Sequence, residues 1–482
     1  MYGDTSSLYS QGQTAQDVLT SSAAAQTHAD LGAETDSLGA VRSAAPVLPS
    51  SPPSRASRTR GTSGMVTGLI VTSMIYEVVV ALIMFRPMRW VVYAAWMMPI
   101  IELAMLACGQ LAYRHRFREA APGTFTKLII QITTTGREHA KVGEIIADIR
   151  ACTIEADYQV WVVTEPGQPC DYPQADRVLV VPESFSARSQ SKARALEYSR
   201  RVRDAEGLAR PDVKIIFSDD DVTLPEAYIN RAFAADYDVC EGVVVPRTSY
   251  GAGPAGHFLA SHADDIRTHA CLVYCSVFQG ILRRPIHVHG EGLVVTGAAE
   301  RLVTWNWPVL ASEDLVFGQR AVSAGLMWGW FHEYAEITSA WSVRDFLIQR
   351  RRWLWGDIHA IAHRDVLPLG PALLILGKYV AGVVALLASA AGLYLRATGR
   401  IPATAGVLDY AKLAILAWAA VFFACGWIGA TQAGHTSEAR LLAGVVAVLM
   451  LPVSLILSFA AIVIPLAQGS PRTFAVITKT RR

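Results

Sequence analysis

Four short clusters in this 482-residue chain carry residue types suited to chemistry. The first is the acidic triplet Asp219-Asp220-Asp221, which directly follows the apolar run Val213-Lys214-Ile215-Ile216-Phe217-Ser218. Its carboxylates are the oxygen ligands that a hard divalent cation uses alongside phosphate oxygens. Such an ion offsets the charge that builds on a departing diphosphate. A solvated turn at a strand end would use the same residues. The second cluster, Ser312-Glu313-Asp314, puts two carboxylates in the first turn of an expected helix, with Ser312 as its cap and Gly325 as its stop. Stabilisation by the helix dipole accounts for carboxylates there. So does general-base chemistry, in which an ionised carboxylate takes the proton of an attacking hydroxyl.

The third cluster is Gln349-Arg350-Arg351-Arg352-Trp353. Gln349, Arg352 and Trp353 share a helix face by i, i+3 and i+4 spacing. An arginine fork grips phosphate oxygens, and an indole offers a flat apolar surface to a sugar ring. A membrane-surface amphipathic helix is the competing explanation, because Trp341, Trp355, Arg344 and Arg364 extend the same composition. The fourth cluster is His289-Gly290-Glu291-Gly292. His287, His289 and His332 lack the HExxH or paired His/Cys spacing of a zinc site, so contact with substrate or support of neighbours is the expected role.

A parallel arrangement of strands is expected to position these clusters. Lys127–Ile132, Gln159–Thr164, Arg177–Val181 and Val213–Phe217 read as strands, with helices from about Glu138 to Cys152 and from Ser191 to Ala205. This alternation predicts a mostly parallel sheet with helices on both faces. Polar Thr133-Thr134-Thr135-Gly136 follows the first strand. Ligands bind beyond the carboxyl ends of such strands, where Thr164-Glu165 and the acidic triplet fall.

Composition adds a membrane to this scheme. Hydrophobic residues make up 52% of the chain and charged residues only 17%, which does not suit a wholly soluble protein, and a net charge of +2 gives no basis for nucleic-acid binding. Residues 1–64 are rich in Ser, Thr, Ala, Gln and Pro and are expected to be a disordered tail without a signal peptide. Met65–Phe85 and Trp90–Tyr113 are each near the roughly 20 residues needed to span a bilayer, and the Arg86-Pro87-Met88-Arg89 break makes residues 65–113 a hairpin. Basic residues outside both ends (Arg55, Arg58 and Arg60; Arg114, His115 and Arg116) place those ends, and residues 114–340 after them, in the cytosol. Residues 341–370 form an expected interfacial region. Within residues 371–482, Pro371–Leu395, Ala411–Ala430 and Leu441–Ala467 read as three further spans. The cations Arg472, Lys479, Arg481 and Arg482 then favour an internal C-terminus, so the last segment, with Pro452 and Pro465, is a candidate for an interfacial, re-entrant or split span. Glu77, Glu102 and Lys378 fall inside apolar spans, either as structural partners between helices or as a polar lining for a lipid-linked acceptor. The seven cysteines lack CxxC pairing and are expected to be reduced thiols; Cys271 and Cys275 read as two buried structural ones.

Taken in order, Asp219-x-Asp221, Glu313-Asp314 and Gln349-x-x-Arg352-Trp353 resemble the signature of membrane-integrated family 2 glycosyltransferases, the group of cellulose, chitin and hyaluronan synthases. More closely, His289-Gly290-Glu291-Gly292-Leu293-Val294-Val295 and Ser312-Glu313-Asp314-Leu315-Val316-Phe317-Gly318 are similar to the Egghead beta-1,4-mannosyltransferase group. The resemblance covers about Phe125 to His363 and the flanking spans. It implies an α/β GT-A (Rossmann-like) domain inserted between N- and C-terminal transmembrane helices. It also implies Asp314 as the base and Asp219 and Asp221 as ligands of Mg2+ or Mn2+. Donor contacts would come from Thr133, Glu165, Lys192, Asp219, Asp220 and Arg352, and acceptor contacts from His289, Glu291, Gly292, Glu313 and Trp353. Two positions depart from the pattern: Thr164-Glu165-Pro166-Gly167 replaces the Asp-Asp-Gly-Ser of many relatives, and Thr296 stands in place of an arginine.

The expected activity is inverting transfer of mannose from GDP-mannose to a glucosyl-lipid, forming a beta-1,4 linkage, by an integral protein of a bacterial plasma membrane with a cytoplasmic catalytic domain. Membrane lipids, a nucleotide-sugar donor and a lipid-linked sugar acceptor are the expected partners. A processive polysaccharide synthase using a UDP-sugar and a non-catalytic scaffold or transporter are the alternatives.

Overall fold

The structure, a computed structural model, describes residues 89–167, 171–246, 255–363, 365–401, 409–432, 436–471 and 477. The expected tail, the first span with Glu77, and Arg472, Lys479, Arg481 and Arg482 lie outside the described residues. The first described element is helix α1 (Arg89–Arg116), an apolar segment that ends on Arg114, His115 and Arg116, where cations complement the helix dipole.

The chain continues through β1 (Lys127–Thr133), α2 (His139–Ala151), β2 (Tyr158–Thr164), β3 (Arg177–Val180), α3 (Ser191–Ala205) and β4 (Val213–Asp219). These elements occupy the places that the apolar periodicity indicates. β1 pairs in parallel with β2 and β4, and β2 with β3. Side chains alternate across a strand, so Leu128, Ile130 and Ile132 of β1 pack with Val142, Ile145 and Ile149 of α2, whereas Ile129 packs with Trp161 and Ile215 on the opposite face beside Leu196 of α3. Burial on both faces is why these strands read as nearly continuous apolar runs. The polar exceptions are satisfied internally: Arg203 of α3 donates to the Gln131 side chain and, at 2.9 Å, to Glu300 Oε2. Lys214 Nζ donates to the Ala232 carbonyl at 2.9 Å, and burial pulls its pKa down to about 8.

After β4 come β5 (Val222–Thr223), α4 (Glu226–Ala234), β6 (Val239–Pro246) and α5 (Ala255–Ala270), which widens into a π-helical turn at Cys271–Cys275. β7 (Val294–Thr296), α6 (Gly297–Val303), α7 (Glu313–Ser323), β8 (Trp328–Ile337) and α8 (Val343–Ala362) follow. The eight strands form one sheet in the order β3-β2-β1-β4-β7-β6-β8-β5. The expectation of a mostly parallel sheet therefore needs correction in its second half: β7 runs antiparallel to both β4 and β6, and β5 antiparallel to β8, while β6 and β8 are parallel. The physical reason is that β7 is reached through α5 and the His289–Gly292 loop rather than through a crossover of the βαβ kind, which is what keeps neighbours parallel.

Three more helices complete the described chain: α9 (Leu369–Ala397), α10 (Tyr410–Gln432) and α11 (Ser437–Gln468). With α1 they are the four helices, among the described residues, long and apolar enough to cross a membrane. Pro452 and Pro465 do not split the last span; both lie inside the single 32-residue helix α11. Neighbouring groups satisfy backbone locally in such helices. α8 begins on Ser342, whose hydroxyl accepts from the Asp345 N–H at 3.1 Å, and lies across the end of α11, where Trp355 Nε1 donates to the Pro465 carbonyl at 3.0 Å.

Candidate active site

The carboxyl ends of β1, β2 and β4 open into a cavity of about 1060 Å³. Thr133 and Asp219 are register partners at the ends of β1 and β4. Thr133, Thr134 and Thr135 line the wall beside Glu165, Asp219, Asp220 and Asp221, and Thr134 Oγ1 donates to Asp220 Oδ2 at 2.9 Å. The same cavity runs on, between α8 and α9, to Glu102, Lys378 and Trp418 of the membrane helices.

Two helices begin at this wall and deliver charge to it. Ser191 (φ +52°) precedes Lys192 at the start of α3, and Ser312 (φ +63°) precedes Glu313 and Asp314 at the start of α7. Left-handed backbone at a residue with a Cβ costs about 1–2 kcal/mol, and such strain is concentrated where geometry serves a site. Lys192 Nζ sits 2.6 Å from Asp219 Oδ1 and 3.8 Å from Glu313 Oε1, joining the first two acidic clusters. Burial disfavours its ammonium, yet Asp219, Glu313, Asp314 and Glu291 together hold its pKa above the ordinary lysine value.

Asp314 is placed by two close approaches. Its Oδ1 accepts from the Leu315 N–H at 2.8 Å, and a Cβ added at Gly290 (φ +75°) would come within 2.5 Å of its Oδ2. Only glycine lets the loop come so near. Burial, and then the neighbouring Glu313 carboxylate, push the Asp314 pKa well above the usual carboxylate value. On the other side, Gly356 of α8 leaves room for Ser312, whose hydroxyl donates to the Trp353 carbonyl at 3.3 Å. Ser312 occupies the cap position of α7 but makes no side-chain cap, a correction that follows from its left-handed backbone. Gly325 (φ +78°) does follow the end of α7, as its sequence position implies.

Gln349, Arg352 and Trp353 all face the cavity from α8. The Trp353 ring is held between cations, with the Arg350 and Arg267 guanidinium carbons 4.4 and 5.1 Å from its centroid. Burial lowers the Arg352 pKa from its usual value against the opposing pull of Glu313 and Asp219. Arg267 Nη2 donates to Glu291 Oε2 at 2.7 Å; burial opposes ionisation of Glu291, but Arg267 and Lys192 bring its pKa down to about 2.

Three of the residues singled out in sequence have partners within the protein. Glu165 reaches the cavity but is paired with Arg194, Nη1 to Oε2 at 3.1 Å. His289 also lines the cavity, with Nε2 2.9 Å from Cys271 Sγ and 3.7 Å from Cys275 Sγ. The two cysteines are buried, as expected, but they form with His289 a cluster of ligating atoms all within 4.8 Å of one another, which a Cys-x-x-x-Cys spacing did not suggest. Gly292 (φ +77°) does not line the cavity: its carbonyl accepts from Tyr228 Oη at 2.7 Å, and a Cβ there would meet that oxygen at 2.4 Å. Sequence reasoning missed Arg267. Its signal was the density of titratable residues in α5, including His262, Asp264, Asp265 and His269, too many for a helix whose faces are mostly buried.

Asp219 and Asp221 supply carboxylate oxygens only, and among the described residues they are not part of a closed three-ligand cluster. That donor set fits a hard divalent ion of the kind that takes one or two protein carboxylates and completes its shell with phosphates and water. It would not hold a soft metal.

Residues 214–467 match the model of the family described as glycosyl transferase family group 2, more than half of the chain. The chain belongs to this family of glycosyltransferases. The mixed sheet is its GT-A-like catalytic domain, and the four long apolar helices flanking it mark a membrane-associated enzyme. Among curated relatives, the chain is 25% identical over 336 residues to "Beta-1,4-mannosyltransferase egh" of Drosophila melanogaster, covering 68% of this chain and 71% of the fly protein. It is 26% identical over 292 residues to "Beta-1,4-mannosyltransferase bre-3" of Caenorhabditis briggsae, covering 56% of this chain and 62% of that one. A solved structure of a mannosyltransferase from Pyrobaculum calidifontis, in complex with GDP-Man and Mn2+, aligns with a TM-score of 0.37 at 16% identity over 74% of this chain and 97% of the other.

Proposed function

We propose that this glycosyltransferase moves mannose from GDP-mannose to the 4-hydroxyl of a glucosyl-lipid, with inversion, at the cytosolic face of a membrane. The observation that carries the reading is the single cavity that joins a carboxylate-rich strand end to a wall of membrane helices, with Asp314 between them. The mannose and the beta-1,4 linkage rest on the named activity of the curated relatives. The cytosolic face rests on the cations that close α1.

In this reading Asp219 and Asp221 hold Mg2+ or Mn2+, which when bound supplies positive charge to the donor diphosphate. Lys192 and Arg352 bind the diphosphate oxygens, Arg352 through its fork, while Thr133, Glu165 and Asp220 line the nucleoside side. Asp314 accepts the proton of the acceptor hydroxyl as the hydroxyl oxygen attacks the anomeric carbon and the nucleotide leaves. A carboxylate with a raised pKa is the stronger base for this step. Trp353 stacks on the acceptor sugar, and Glu313 sets the charge around Asp314 and Lys192. His289 and Glu291 shape the acceptor side through their loop.

The test is a donor screen with the purified full-length protein and a synthetic glucosyl-lipid, followed by mass analysis. A single added hexose from GDP-mannose is the expected product. Transfer only from a UDP-sugar, or growth to a polymer, would overturn the reading.

A further inference from the structure

The membrane helices bring two ionisable side chains to the cavity, and their surroundings differ. Glu102 of α1 receives the Trp418 Nε1–H at 3.0 Å and the Tyr274 hydroxyl, and lies 3.2 Å from His269 Nε2. Lys378 lies nine residues into α9, about 14 Å along the helix at 1.5 Å per residue. Its Nζ meets His287 Nδ1 at 3.3 Å and sits 4.9 Å from the Tyr379 ring centroid. Among the described residues, no carboxylate oxygen lies within 4.0 Å of it.

None of the carboxylates nearby touches it. Asp264 is bridged by Arg350 and Glu291 is held by Arg267, while Asp357 accepts from the Tyr379 hydroxyl at 2.5 Å and acts on Lys378 only through space. His287 offers Lys378 a ring nitrogen and no carboxylate. An ammonium in an apolar span with no anion in contact is costly and marks a functional position. The wall beside it leaves room for an aliphatic chain: Gly377, Ala381, Gly382 and Ala385 line the cavity along α9, and a Cβ added at Gly377 or Gly382 meets nothing within 4 Å. No partition separates this trench from Asp314.

We propose that Lys378 binds the phosphate of a lipid acceptor whose sugar is joined to its lipid through a phosphate ester, so that the enzyme selects anionic sugar-phospholipids over neutral glycolipids. This deepens the reading of the cavity as a sugar-transfer site with a lipid-linked acceptor and rests on it. The phosphate supplies the contacting anion that the described residues do not, the chain lies along the small residues of α9, and the sugar points to Asp314. Lys378 acts in acceptor selection and takes no part in the bond-making step.

The experiment uses full-length protein in phosphatidylcholine nanodiscs with GDP-mannose and two acceptors that carry the same glucose, one joined to a polyprenyl chain through a phosphodiester and one joined directly to diacylglycerol. The phosphate-linked acceptor is expected to have a kcat/KM higher by on the order of 10–100-fold, the range of one charge-assisted hydrogen bond. Lys378→Met should reduce use of the phosphate-linked acceptor by a similar factor and narrow the difference between the two, whereas Lys378→Arg should retain the preference. Equal use of both acceptors by the wild-type protein would overturn the proposal while leaving sugar transfer intact. Equal losses on both acceptors in a Lys378→Met protein that elutes as wild type would assign the lysine to structure instead. If adding phosphatidylglycerol to the nanodiscs raises transfer to both acceptors alike through Lys378, the anion is a bulk phospholipid and the proposal fails. Absence of transfer to either acceptor would overturn this proposal together with the reading beneath it.

Discussion

At the strand end of the cavity Lys192 is matched by Asp219 and Glu313 within 4 Å, whereas at the membrane end Lys378 meets the His287 ring and, among the described residues, no carboxylate oxygen within 4.0 Å. The strand end gathers several carboxylates around Lys192. In the proposed reading a diphosphate entering there would share Lys192 with Asp219, and a divalent ion on the carboxylates would offset the excess negative charge. At the membrane end the protein supplies shape and one ammonium without a contacting carboxylate. In the proposed reading donor chemistry is organised by the catalytic domain itself, while the acceptor end is completed by what binds.

The strongest way to break this comparison is at the boundary between the two ends. Asp314→Asn keeps size and most hydrogen bonding but removes the base, and transfer should fall by ~10²–10⁴-fold with donor Kd unchanged by calorimetry. Glu313→Gln should lose much less. Because Asp314 must be ionised to accept a proton and its pKa is raised by burial and by Glu313, kcat should decline as pH falls through a value above the ordinary carboxylate range. Removing the Glu313 charge lowers that pKa, so the acid limb of the Glu313→Gln profile should move to lower pH. Equal rate losses in the two variants, or a Glu313→Gln limb that moves to higher pH, would remove the base assignment.

Next in size is the strand end. Asp221→Asn replaces a hard carboxylate with a neutral amide, and kcat should fall by roughly 10²-fold as a few kcal/mol of charge stabilisation are lost. A titration should show a higher divalent-ion requirement. An unchanged titration would mean that the acidic triplet is a turn. Smaller again is Trp353→Ala, for which loss of a stacking surface predicts a rise of roughly two- to tenfold in acceptor KM, with little change in donor KM. If extraction yield falls and specific activity is kept, the indole belongs to the membrane interface.

The smallest effect on transfer is expected at Glu102→Gln, where the partners His269, Tyr274 and Trp418 point to packing between α1, α10 and the π-helical turn. Stability should drop by about 1–3 kcal/mol as charge-assisted hydrogen bonds weaken, read as a lower Tm in detergent. A change in acceptor preference with no change in Tm would instead move Glu102 into acceptor binding.

Much of this arrangement was legible before the fold. β1, β2 and β4 are double-buried runs whose apolar continuity ends on Thr133, Thr164 and Asp219, so the polar residues beyond them marked a cavity by local pattern alone. α8 was equally plain, since Gln349, Arg352 and Trp353 need only a helical period to share a face. β6 and β8 were not read, because neither lies in the strand–helix alternation that β1 to β4 display. The Ser312 side chain makes no cap for a similar reason: capping preference is local, whereas its hydroxyl is turned to the Trp353 carbonyl, a contact across 41 residues.

The sequence by itself determined which residues stand at strand ends and on helix faces, together with the length and composition of the membrane helices. Those features depend on the period of the backbone and the distribution of apolar side chains along a few residues. Only the tertiary structure decided which ionisable groups meet. Arg267 reaches Glu291 across 24 residues, Lys192 reaches Asp219 across 27, and Lys378 comes from a membrane helix to His287 across 91. An ion pair depends on distance in space, and no local period encodes the loops, the glycine approaches at Gly290 and Gly356, or the antiparallel entry of β7 that bring these groups to one cavity.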